Sequence, residues 1–131
     1  NNPMIGVGSG QAGVDLGYNN GNAVYLYVNG DKYSGAVGTS LFSGLLPVNS
    51  IVMVAYDTVA EEVWLGYNGT WASGKDPTAG QSGFSCAGAP ATNGFRPMLT
   101  SGSSTAGTTQ LEIISHTQGP QYTIPSGWEL A

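Results

Sequence analysis

The stretch SIVMVAYDTVAEEVWLGYNGTW, residues 50–71, holds two alternating runs separated and followed by turn residues. In the first run Ile51, Met53 and Ala55 face one way and Val52, Val54 and Tyr56 the other, because successive strand side chains point to opposite faces. Both faces are then largely apolar, which predicts a strand covered on both sides and set in the middle of the domain. In the second run Val63, Leu65 and Tyr67 alternate with Trp64 and Gly66. Residues 58–62, TVAEE, are expected to join the two as a hairpin with their carboxylates in water, and Asn68-Gly69 is the dipeptide that tight hairpin turns prefer. Trp64, in mid-strand, is assigned to the core; Trp71, three residues beyond the start of that turn in a polar segment, is assigned to the surface or rim.

The same signal recurs outward along the chain. MIGVG at 4–8, AVYLYV at 23–28, FRPMLT at 95–100 and TQLEIIS at 109–115 read as strands, and NNGN at 19–22, NGD at 29–31 and SGSSTAG at 101–107 read as turns. Gly or Pro interrupts almost every window of ten residues, and no run carries apolar residues at helical spacing for more than a turn or two. The expected fold class is therefore all-β, an antiparallel sandwich or barrel forming one domain over residues 1–131. Tyr25, Tyr27 and Tyr33 are placed to line one face of a sheet. Residues 69–94 are too long for an ordinary structureless loop, so the stretch is either functional or contains short strands that the pattern does not show.

Composition narrows the function classes. Charged residues are 8% of the 131, against roughly a quarter in an average soluble domain. Lys32, Lys75 and Arg96 are the only strongly basic side chains and the net charge is -5, so there is no positive surface for a phosphate backbone or anionic lipid. No nucleic-acid partner and no membrane insertion are expected. The opening Asn1-Asn2-Pro3 has neither a Met nor a signal-peptide pattern, as in a processed, excised or partial chain. Cys86 is the single cysteine and is expected to be a small, buried or half-buried hydrophobe.

Chemistry-bearing constellations are sparse. His116 is the only imidazole and no Gly-x-Ser-x-Gly elbow surrounds any serine, which argues against an acyl-transfer triad. Paired carboxylates for glycoside hydrolysis would have to come from Asp15, Asp31, Asp57, Asp76, Glu61, Glu62, Glu112 or Glu129, most of them in turns. A lone His and a lone Cys make no zinc site, so neither metal nor cofactor is expected. What remains is aromatic faces beside neutral amides, the surface that stacks on sugar C–H faces and bonds hydroxyls. That chemistry gathers at Tyr18, Asn19 and Asn20 and at Trp71, Lys75 and Asp76, the candidate ligand-binding residues. Trp128, after Pro125 and Gly127, is expected to close one end of the sandwich.

Residues 50–71 resemble the signature of the SPRY domain, the B30.2-like sandwich of concanavalin A-like jelly-roll type. There a strand ending in Asp is followed by a Trp strand and an Asn-Gly turn, and Asp57, Trp64, Asn68 and Gly69 stand at the family's spacing. MIGVGSG at 4–10, the segment 17–35, FRPMLTSGSSTAGTTQLEI at 95–113 and YTIPSGWELA at 122–131 look like its flanking segments, and NGTWASGKDPTAGQSGF at 68–84 is similar to the variant found in bacteriophage tail and fibre proteins. The resemblance implies a non-enzymatic binding module on a virion, acting outside the cell on a host surface glycan or protein. It also implies other virion subunits, including copies of the same chain in a homo-oligomer, as partners. A structural decoration or fibre-assembly domain and a carbohydrate-active enzyme are the alternatives. The chain departs from the family in reaching Ile5-Gly6-Val7 almost at once, without the usual one or two leading strands. The edge beside that strand is thus expected to be open and filled by another segment or a second chain. The second departure is TTQLEIIS, which lacks the family's Asn-Phe-Gly and leaves the facing of that strand open.

Overall fold

Among the described residues strands form where side-to-side alternation predicts them, and four further short ones form beyond it. The computed structural model describes residues 2–9, 23–34, 37–86 and 95–102. In chain order the strands are β1 (Asn2–Ser9), β2 (Ala23–Tyr27), β3 (Asp31–Ser34), β4 (Val37–Ser40), β5 (Val52–Asp57), β6 (Glu62–Tyr67), β7 (Thr70–Trp71), β8 (Phe84–Ser85) and β9 (Phe95–Gly102). The only helical turns among the described residues are two short 3-10 turns, Ala72–Gly74 and Pro77–Ala79. The expected strand at 109–115 and the closing role of Trp128 lie outside the described residues.

Two antiparallel sheets make the sandwich. One runs β4-β3-β2-β1-β9; in the other β6 has β5 on one side and both β7 and β8 on the other. The core between them is built from Val7, Val24 and Leu26 of the first sheet, Val63 and Leu65 of the second, and Cys86 just past the end of β8, all buried. Each Val or Leu so buried contributes about 1.5–3 kcal/mol relative to exposure. The crossing segment, residues 41–50, closes one end. The amides of Leu41 and Phe42 donate to the Gly30 carbonyl at 3.0 and 3.0 Å, Leu46 N donates to the Val28 carbonyl at 2.8 Å, and the Phe42 ring meets Tyr67 edge-on at 4.8 Å.

Val24 and Leu26 face the core, so Tyr25 and Tyr27 lie on the opposite face of the first sheet. Tyr25 stacks on its cross-strand neighbour Tyr33 with ring centres 5.7 Å apart, and Tyr27 meets Tyr33 edge-on. The three tyrosines therefore share one face, as the alternation predicts.

Three expectations are corrected. The strand expected in the middle of the domain, β5, is half-buried throughout and pairs only with β6 among the described residues. The central position belongs to β6, whose Val63, Trp64, Leu65 and Gly66 are buried, because β6 has hydrogen-bonded neighbours on both sides. The edge expected to be open beside Ile5-Gly6-Val7 is not there: β1 is an inner strand, with β2 and β9 on its two sides, and the sheet's edges among the described residues are β4 and β9. Nor are the carboxylates of the β5–β6 hairpin simply in water. Glu62 lies in β6 and its Oε2 accepts the Gly83 N–H at 3.0 Å.

Turn chemistry accounts for the hairpin that organises the second sheet. Asp57 Oδ1 accepts the amides of Val59 and Ala60 at 2.7 and 2.9 Å, holding the chain in its reversal. At the other end Asn68 and Gly69 have φ of 47° and 82°, the two positive values that a two-residue type I′ turn requires. Asn68 also bonds across to the residue before β5, donating its amide to the Ile51 carbonyl at 2.9 Å and accepting the Ile51 N–H on Oδ1 at 2.8 Å. Asn68→Ala removes the side-chain acceptor and strains a positive-φ position, so it should cost about 1–3 kcal/mol in chemical denaturation with an unchanged m-value. Asn68→Gly, which keeps the turn, should cost less.

Candidate functional site

Trp64 is 5% exposed, as a core residue should be, yet it does not lie between the sheets. Its neighbours Val63 and Leu65 face the inner core, so its indole projects from the other face of β6. What buries it is an excursion of the chain. β7 pairs with Gly66 and Tyr67, β8 pairs with Glu62 and Val63, and between these two short pairings residues 72–83 leave the ladder and return to the same side of β6. A Cβ on Gly83 would sit 2.9 Å from Trp64 Cε2, so the loop backbone lies directly against the indole. The ring N–H is satisfied there too, donating from Nε1 to the Gln81 carbonyl at 2.8 Å.

The excursion is held by its own polar groups. Asp76 caps the second 3-10 turn: its Oδ1 accepts the Thr78 amide at 2.7 Å and the Thr78 hydroxyl at 2.6 Å, and Pro77 at the first position needs no donor. Gln81 closes the loop on itself, accepting the Asp76 amide on Oε1 at 2.7 Å. The Lys75 ammonium donates to the Ser82 and Gly83 carbonyls at 3.0 and 3.1 Å and lies 5.1 Å from the centre of the Phe84 ring. Lys32, on β3 of the facing sheet, places its ammonium 5.6 Å from the same ring. With the Glu62–Gly83 bond, the excursion is anchored to β6 at both the carboxylate and the indole.

Trp71 stands at the rim of this roof. It is half-buried and pairs with Gly66 in the ladder. A Cβ on Gly66 would come within 2.8 Å of Met53 Cε and 3.1 Å of Trp71 Cε3, so the missing side chain is the space in which the Trp71 ring and Met53 pack. The residue as a whole stays partly exposed. Of the predicted ligand-binding residues, the structure brings Trp71, Lys75 and Asp76 together on this one excursion, with the Lys75 and Asp76 polar groups already bonded within it. Tyr18, Asn19 and Asn20 lie outside the described residues, as do His116, Asp15, Glu112 and Glu129. Sequence reasoning missed Gln81, Glu62 and Gly83 as the loop's fastenings. Asp76-Pro77 with Thr78 following was a readable turn signal, whereas nothing local marks a glutamine that bonds back five residues.

Among the described residues no group of three or more His, Cys, Asp or Glu is placed to hold a metal ion. Cys86 is 2% exposed, and burial together with the nearby Glu61 and Glu62 carboxylates pushes its thiol up to about 11, against a smaller pull from Lys32. It is a packing group rather than a nucleophile.

Gly66→Ala should lower stability by about 1–3 kcal/mol, the cost of overpacking a filled site, and shift tryptophan emission toward the red as Trp71 is displaced. For Cys86 the folded-state pKa lies above the unfolded one, so its contribution to stability is complete below pH 9.0 and is lost as pH rises toward about 11. A thiol reagent should accordingly modify it slowly in the native protein at neutral pH and readily in denaturant. Comparison of the chain with family models, with curated proteins and with solved structures finds no match to any.

Proposed function

We propose that this chain is a non-enzymatic binding module of a bacteriophage virion, carried on a tail or fibre, that recognises a host cell-surface glycan or protein through the loops of its sandwich. The observation that carries the reading is the excursion over Trp64. A loop locked by its own hydrogen bonds before any ligand arrives loses little conformational freedom on binding, which is the general condition for a useful recognition surface. Trp71 at its rim offers an aromatic face beside exposed backbone and the hydroxyls of a polar segment. The hydrogen bonds made by four of the carboxylates favour binding over hydrolysis. Asp31 accepts from Asn29, Asp57 and Asp76 cap turns, and Glu62 fastens the loop. The tail or fibre setting rests on the resemblance at residues 50–84, and copies of the module on one fibre would multiply weak contacts by avidity.

A structural role in the virion, as a decoration or fibre-assembly domain, draws support from a different observation. Val37, Leu45, Val48 and Val59 are 69%, 74%, 90% and 93% exposed, apolar side chains that contact with a neighbouring subunit would bury. Binding to host cells and to a glycan array, compared between the wild type and Trp71→Ala, separates the readings. The binding module predicts a loss of about tenfold or more for Trp71→Ala, as for an aromatic anchor, with the thermal transition retained. Equal binding by both removes Trp71 as the contact. No binding by either, together with self-association in sedimentation, supports the structural role.

A further inference from the structure

The sequence contains four Asn-Gly dipeptides, and two of them, Asn29-Gly30 and Asn68-Gly69, lie among the described residues. Asn-Gly is chemically labile because glycine adds no side chain to hinder its own backbone nitrogen from reaching the carboxamide carbon of the asparagine before it. Both dipeptides occupy hairpin turns. In both, the carboxamide oxygen accepts a backbone N–H; the surroundings differ in exposure, in what holds the attacking N–H and in what holds the carboxamide nitrogen.

At Asn29 the carboxamide is tied at both ends: Nδ2 donates to Asp31 Oδ2 at 2.6 Å and Oδ1 accepts the Asp31 amide at 3.0 Å. Gly30 is buried, and its N–H, the group that would have to attack, donates to the Tyr27 carbonyl at 2.9 Å. Its carbonyl holds Leu41 and Phe42 at the end of the sandwich. Reaction there requires opening the turn and the crossing segment with it.

At Asn68 the turn is exposed from Asn68 to Thr70. Among the described residues, neither the Gly69 N–H nor Asn68 Nδ2 has a hydrogen-bond partner. The one bond the carboxamide does make favours attack. Ile51 N–H donates to Oδ1 at 2.8 Å, which draws electron density from Cγ and stabilises the negative charge that develops on that oxygen, as an oxyanion-hole donor does.

We propose that Asn68 is a site of spontaneous deamidation and that the identical dipeptide at Asn29 is protected by the fold. Hydroxide takes the Gly69 amide proton, and the nitrogen attacks Cγ of Asn68. The new C–N bond forms as the bond to Nδ2 breaks, and the nitrogen leaves as ammonia after taking a proton from water. Water then opens the cyclic imide at either carbonyl, giving aspartate or isoaspartate and in both cases one new carboxylate. The product adds a negative charge to the turn that precedes Trp71, and the isoaspartate form lengthens the main chain of that turn by one carbon.

The test is prolonged incubation of the folded protein in mildly alkaline buffer, followed by peptide mapping with enzymatic detection of isoaspartate. Cleavage after Lys32 and Lys75 puts the two sites on different peptides, and because Asn20-Gly21 shares the peptide that ends at Lys32, fragmentation of that peptide by tandem mass spectrometry assigns conversion to Asn20 or Asn29. The expected result is conversion at Asn68 several-fold faster than at Asn29, rising with pH, and a difference that disappears when the incubation is repeated in denaturant. Asn68→Gly, which retains the turn, should remove the isoaspartate signal from its peptide. Equal rates at the two sites in the folded protein would overturn the proposal. So would an Asn68 that converts only in denaturant, which would mean that the turn itself protects it.

Discussion

Burying one indole on the outer face of a narrow sheet imposes the central constraint on this molecule. Trp64 needs a roof to exclude water and an acceptor for its ring N–H, and the inner core can supply neither because Val63 and Leu65 already fill that side. The excursion over residues 72–83 supplies both. It brings the Gln81 carbonyl to the indole and lays the Gly83 backbone against its face. A large aromatic buried in this way is worth about 3–5 kcal/mol against alanine, enough to hold a loop that has little apolar content of its own. The order of the loop and the stability of the fold thus share the same residues.

The low charge of the chain shows in how that loop is fastened. Where a more charged protein would use ion pairs, this one uses carboxylate-to-amide and ammonium-to-carbonyl bonds: Asp57 and Asp76 on turn amides, Glu62 on Gly83, Lys75 on two carbonyls. Each pairs a charge with a backbone dipole, is shorter-ranged than an ion pair, and spends the charge on local geometry. The two lysines also converge on Phe84, so one aromatic ring on β8 collects cations from β3 of the facing sheet and from the loop.

Much of this was legible in the sequence where a local rule acts. Alternation placed β1, β2, β5, β6 and β9, and Asn68-Gly69 announced its turn, because side-chain period and positive-φ tolerance are properties of a few adjacent residues. β3 and β4 were missed since DKYS and VGTS alternate weakly; they exist because β2 offers them a hydrogen-bonding edge. The order of strands was misread for a related reason. The apolar run at residues 51–56 looks central by itself, but centrality depends on neighbours, and β6 has more of them. Trp64 was rightly assigned to the interior, but the residues that enclose it come from up to nineteen positions away and carry no local mark.

The interrupted ladder beside β6 has one further consequence. β7 ends and β8 begins on the same edge, in the same antiparallel sense, so the sheet is continuous in hydrogen bonding terms on either side of the gap whatever the chain does in between. Closing a longer span adds only about 0.6 kcal/mol for each doubling of its length. The register of the sandwich is therefore insulated from the size of the insert, provided one carbonyl still reaches the indole. A scaffold with that property lets its outer surface diversify by insertion and deletion while the two sheets beneath stay as they are.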